Sequence, residues 1–132
     1  MIVIDSSSLI AVILFEPERQ KYLDIIAEVE NCAVSAVTIL EARIVTYYRM
    51  GTAGSDRLES WFKSFVPEIV PFDDKQSSLA FQAFKTYGKG IHPTARLNFG
   101  DCASYALAKS RNVPLLFKGY DFAATDIQFA AF

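Results

Sequence analysis

The chain has 132 residues, 52% of them hydrophobic and 14% aromatic, with a formal net charge of −2. That length predicts one domain, residues 1–132, with a core of its own, and that apolar content excludes long disorder. The charge excludes a general attraction to nucleic acid, apolar runs such as residues 9–15 are too short to span a bilayer, and two cysteines with one histidine exclude a disulfide framework or a zinc site.

Residues 1–4 are a β-branched run ending at Asp5, the pattern of a buried strand, and one of Ser6, Ser7 and Ser8 is placed to cap a helix starting near Leu9. Glu16-Pro17-Glu18 opens a second helix through Tyr22, Ile25 and Ile26. Residues 32–34 form the next strand, and Ser35 or Thr38 opens a helix through Ile39, Ile44 and Tyr48 that stops at Gly51. An amphipathic helix over about 55–65 and a third strand at 68–70 follow. Asp73 or Asp74 caps a helix carrying Leu79, Phe81 and Phe84, and residues 88–93 read as a flexible loop. Asn98 begins a helix through Tyr105 and Leu107, and residues 113–117 are a fourth strand. Short strands alternating with helices predict an α/β fold, a short twisted parallel sheet with helices on both faces. Ligands bind such sheets beyond the carboxyl ends of the strands, where Asp5 and Asp121 fall.

Four acids stand out. Val37, Leu40, Ile44 and Tyr48 follow helical spacing and predict a buried stripe, and Glu41 falls inside it. A buried carboxylate needs a cation or strong donors, so Glu41 points to metal or catalysis, or else to an ion pair with Arg43 or Arg49, or to a helix rotated enough to expose it. Asp101 fits a capping box with Asn98 as well as it fits a ligand. Asp5 can face the crevice or cap the following helix, and Asp121 can be a site residue or a turn residue after Gly119. Several carboxylates brought together repel unless a cation intervenes. Oxygen donors without histidine or cysteine select Mg²⁺ or Mn²⁺, and phosphodiester hydrolysis is the natural chemistry of such a pocket.

Val3-Ile4-Asp5-Ser6-Ser7, Glu41-Ala42-Arg43, Asn98-Phe99-Gly100-Asp101-Cys102 and Leu116-Phe117-Lys118-Gly119-Tyr120-Asp121-Phe122, with Thr125-Asp126 beyond, resemble a PIN-domain VapC-type toxin from Met1 to about Ile127. The loop from Tyr87-Gly88-Lys89-Gly90 to His92-Pro93 matches a common form of that family. The resemblance implies a three-layer α/β/α PIN domain and a Mg²⁺-dependent endoribonuclease, in which Mn²⁺ can substitute. It also implies the toxin role of a toxin–antitoxin pair, a small antitoxin that occupies or distorts the active site, an RNA substrate and a homodimer. By position it makes Asp5 and Asp101 the principal metal ligands. Glu41 becomes a further ligand or a group orienting the nucleophilic water, Asp121 completes the acidic set, and Ser6 orients a carboxylate or water.

Tyr120 departs from the family pattern, which has a small polar or acidic residue there; packing against a neighbour is the expectation for it. A rim closed by Tyr120 would favour a catalytically weakened PIN domain that only binds RNA or antitoxin. Asp126 is expected to cap or turn the chain. Lys89, His92, Arg96 and Lys118 lie in predicted loops and could contact RNA phosphates, against the plainer reading of solvated charges. Tyr47, Tyr48 and Trp61 fit helix packing or a dimer surface. A phosphotransfer domain with Asp5 as nucleophile ranks last, because position 7 is serine where a second aspartate is wanted. No basic start or cleavage site marks the N-terminus, which predicts a cytoplasmic protein.

Overall fold

Four parallel strands, β1 (Ile2–Ile4), β2 (Cys32–Ser35), β3 (Glu68–Val70) and β4 (Leu115–Leu116), pair in the order β3-β2-β1-β4 in the computed structural model, which describes residues 1–130. The helices are α1 (Ser6–Ile13), α2 (Arg19–Glu28), α3 (Ala36–Met50), α4 (Thr52–Phe65), α5 (Asp74–Tyr87) and α6 (Phe99–Arg111). Alternation along β1 divides the core. Ile2 and Ile4 pack with Leu9, Val12, Ile26, Ile39 and Leu58 of α1–α4, while Val3 joins Ala33, Leu115 and the buried residues of α5 and α6. Helices thus cover both faces, as the strand–helix alternation predicts, and among the described residues no helix is long and apolar enough to cross a membrane.

The order of the strands places the site. The chain adds β2 and β3 on one side of β1, then crosses to lay β4 on the other, with Val3 paired to both Ala33 and Leu115. The direction of winding therefore reverses between β1 and β4, which opens a crevice beyond their carboxyl ends.

Several local expectations are corrected. Asp5, not a serine, caps α1: its side chain accepts from Ser7 N–H, and the helix starts at Ser6 rather than Leu9. Strand β4 is shorter than residues 113–117, because Val113 N–H is taken by the Ala108 carbonyl at the end of α6. The loop after α5 is tied down. Lys89 N–H bonds the Leu97 carbonyl, and His92 Nδ1 accepts from the backbone N–H groups of Thr94 and Ala95 at 3.1 and 2.8 Å.

Helix α3 carries the largest correction. Its buried residues are Thr38, Ile39, Ala42 and Thr46, whereas Leu40, Ile44 and Tyr48 of the expected stripe are 56%, 58% and 87% exposed. Small residues win the inner face because α3 and α4 approach closely: a Cβ on Gly54 of α4 would stand 2.4 Å from the Thr46 carbonyl oxygen. The larger side chains are left outside as an apolar face, and Glu41 sits half-buried at its border.

Candidate active site

Asp5 is buried at the end of β1, and both of its oxygens are held. Oδ1 accepts from Ser104 Oγ at 2.6 Å, and Oδ2 from Ser7 N–H at 3.0 Å and Ser7 Oγ at 2.6 Å. Ser104 Oγ lies 3.0 Å from Thr38 Oγ1. Because a carboxylate only accepts, Ser104 spends its proton on Asp5 and Thr38 is the donor to Ser104. Ser7 Oγ likewise accepts from Lys118 N–H at 2.9 Å, which joins the start of α1 to the segment after β4.

Asp101 lies in the first turn of α6 and is buried. The capping-box reading holds: Asp101 accepts Asn98 N–H at Oδ2 while Asn98 accepts Asp101 N–H. Burial first, then the charge of Asp5, pushes its carboxyl up to about 7; Asp121 and Glu41 add to the rise, and the Asn98 N–H opposes it. Asp101 therefore feels all three of the other acids. Glu41 accepts from Ser6 Oγ at 2.6 Å, and its carboxyl is also raised, chiefly by burial and further by Asp5. The ion-pair alternative for Glu41 is not taken up by Arg43, which pairs with Glu59 at 2.9 Å. Asp121 is half-buried two residues after Gly119, whose φ of +93° suits glycine, and its carbonyl accepts Arg96 N–H at 3.3 Å.

Among the described residues no three Asp, Glu, His or Cys side chains stand close enough to enclose an ion by themselves. A Mg²⁺ site asks for less, since the ion keeps several waters and takes few protein carboxylates. The donor set fits it. All four groups offer oxygen only, and Glu41 Oε2 and Asp101 Oδ1 accept no hydrogen bond among the described residues. A cation there would offset the repulsion that raises Asp101.

The remaining candidates separate. Lys89 and Arg96 are exposed on the loop before α6. Lys118 is not a free cation, because its Nζ pairs with Glu16 at 2.6 Å and Glu18 at 3.1 Å. His92 is used by its own loop and lies against Tyr87, ring centroids 5.7 Å apart. Tyr120 is 88% exposed, so the packing expected of it is absent. Asp126 takes Tyr105 Oη at 2.5 Å and Lys109 Nζ at 3.0 Å, which anchors the chain after β4 to α6. Trp61 packs with Phe62 and Phe65, whereas Tyr47 and Tyr48 are exposed.

Sequence reasoning missed Ser7, Ser104 and Thr38. A signal existed for two of them: Ser104 follows Asp101, and Thr38 precedes Glu41, by one helical turn, which sets hydroxyl and acid on neighbouring positions of each helix.

Comparison with known proteins agrees with this architecture. Residues 2–128 match the family model of the PIN domain. Ribonuclease VapC30 of Mycobacterium tuberculosis is 39% identical over 125 residues, covering 95% of each chain. Among solved structures, M. tuberculosis VapC20, a sarcin-ricin loop cleaving toxin, superposes with a TM-score of 0.78 at 15% identity, over 96% of each chain. VapBC2 from Rickettsia felis, bound to a DNA fragment from its promoter, gives 0.75 at 14% identity, over 100% of this chain and 99% of that one. The chain is therefore a member of the PIN-domain family, in its VapC ribonuclease branch.

Proposed function

We propose that the protein is a Mg²⁺-dependent endoribonuclease, the toxin of a toxin–antitoxin pair, acting at the pocket of Asp5, Glu41, Asp101 and Asp121. The observation that carries this reading is Asp101, buried in the first turn of α6, whose carboxyl is raised first by that burial and further by the charges of Asp5, Asp121 and Glu41. Such a pocket is unfavourable alone and suited to a cation. The ribonuclease names of relatives at 39% identity support the reaction class.

Asp5 and Asp101 would be the principal ligands, with Glu41 and Asp121 completing the acidic set and Mn²⁺ able to substitute. When bound, the ion lowers the pKa of a water and offsets charge on the phosphodiester. The chain's own groups hold the geometry: Ser104 and Ser7 fix Asp5, Asn98 fixes Asp101, and Ser6 fixes Glu41. Glu41 would then orient the attacking water. With a net charge of −2, backbone contacts to RNA have to be local, and exposed Lys89 and Arg96 would supply them.

Two protein partners belong to this reading. A solved structure of the same fold is a toxin–antitoxin complex from Klebsiella pneumoniae, and an antitoxin here would occupy or distort the acidic pocket. A second copy would cover the apolar face of α3, where Val37, Leu40, Ile44 and Phe99 line a cleft of about 360 Å³ that reaches Glu41.

The test is cleavage of cellular RNA by the purified protein with Mg²⁺, with EDTA, and with Asp101→Asn. Cleavage should require the metal and be lost in the variant. Equal cutting by both proteins, or none by the wild type with either Mg²⁺ or Mn²⁺, overturns the enzyme reading. Growth arrest on induction, relieved by the cognate antitoxin, tests the toxin role; unaffected growth counts against it.

A further inference from the structure

The first turn of α6 gives the pocket more than Asp101. Gly100 is buried there, and a Cβ built on it would stand 2.5 Å from Glu41 Oε1, 2.8 Å from Oε2 and 2.9 Å from Cδ. Its backbone is not in the left-handed region, so conformation does not call for glycine. Helix propensity argues against it too, since glycine is among the poorest helix formers. What remains is the space. The Glu41 carboxylate lies against the α6 backbone where any side chain at position 100 would be. Ser6 Oγ also holds Oε1, at 2.6 Å. The carboxylate thus meets the first turns of both α1 and α6.

We propose that Gly100 is a positioning residue. The room it leaves lets Glu41 reach the pocket shared with Asp5 and Asp101, and a methyl group there displaces the carboxylate from the cation. This inference rests on the metal-dependent reading above. The blocking atoms belong to the far end of a flexible side chain, so the fold can absorb the methyl group by moving Glu41. Alanine should therefore cost binding and spare the fold, whereas a merely close-packed glycine would cost the fold first.

The experiment is a Mn²⁺ titration, with melting of the metal-free proteins, for wild type, Gly100→Ala, Glu41→Ala and the double variant. Gly100→Ala should melt at or above the wild type and bind Mn²⁺ about tenfold more weakly or worse. In the Glu41→Ala background the same substitution should change binding by less than about twofold, because its route of action is gone. Should Gly100→Ala melt early, adding Glu41→Ala restores the melting temperature if the clash is with Glu41, and failure to restore it overturns the proposal. Wild-type binding by Gly100→Ala, or an equal loss in both backgrounds, also overturns it while leaving the metal reading intact. A wild type that binds no Mn²⁺ overturns the metal reading and this inference together.

Discussion

Ser104 Oγ donates to Asp5 Oδ1 at 2.6 Å across 99 residues of sequence, and Thr38 Oγ1 donates to Ser104 in turn. The pair locks the end of β1 to the middle of α6. Ser104→Ala should weaken Mn²⁺ binding about tenfold, by loosening Asp5, and lower the melting temperature by a few degrees, about 1 kcal/mol for a lost buried hydrogen bond. Binding and melting indistinguishable from wild type would show that the hydroxyl does not hold the carboxylate.

Asp101 makes the metal-free protein sensitive to pH. Burial, and then the charge of Asp5, pushes its carboxyl from the ordinary 3.8 up to about 7. Between those values the folded state holds a proton that the unfolded state has lost, so stability falls as pH rises from about 4 to about 7 and levels off above. Glu41, also raised, has the same sign. Glu18, Glu68 and Asp126 are lowered, and what they contribute is lost only at more acidic pH. Melting in EDTA should therefore occur higher near about pH 5 than near about pH 8, and Asp101→Asn should flatten the difference. A slope unchanged in that variant assigns the effect elsewhere.

The outer face of α3 predicts the oligomeric state. Leu40, Ile44 and Tyr48, with Phe99 of α6 beside them, are more than half exposed. Apolar surface of this kind marks an interaction site. Ile44→Glu should convert a dimer to a monomer in light scattering and, with the side chain 58% exposed in the single chain, lower melting only by what association adds. A wild type that is already monomeric at working concentration would remove this face as a dimer contact.

Tyr120 should prove dispensable to the fold. At 88% exposure it shields almost nothing, so Tyr120→Asp is expected to melt like the wild type. It should also leave Mn²⁺ affinity within about threefold, because the added carboxylate lies on a solvated turn. A large gain in affinity would mean that the tyrosine impairs the site after all.

Strands and helices were legible from the sequence wherever local chemistry decides. Asp73, Asn98 and Ser35 cap the helices expected of them, and Gly51 ends α3 with a φ of +64°. The rotation of α3 was not legible. Its apolar pattern is real but faces outward, and only the close contact between Thr46 and Gly54 explains which side is buried. For the same reason Glu41 drew attention on a mistaken premise: it stands at the border of an outer apolar face, not within an inner one. The charge pairing of Lys118 escaped as well, because Glu16 and Glu18 lie about a hundred positions away in the chain. Ser104 escaped for a similar reason, as its partner Asp5 is equally remote.

The capping bonds of Asp5 and Asp101 carry a practical consequence. Asp5 is itself the N-cap of α1, and Asp101 closes the capping box of α6, whose N-cap is Asn98. Alanine at either position removes a cap together with a charge, at about 1 kcal/mol for the cap alone, so lost activity would be entangled with a frayed helix. Asparagine keeps one side-chain carbonyl for the capping bond; at Asp101 it removes little beyond the charge, whereas at Asp5, whose two oxygens both accept, it also turns one acceptor into a donor. Glu41 and Asp121 cap nothing, and there truncation reads the chemistry directly. The same four acids thus divide into two that also serve a helix start and two that do not.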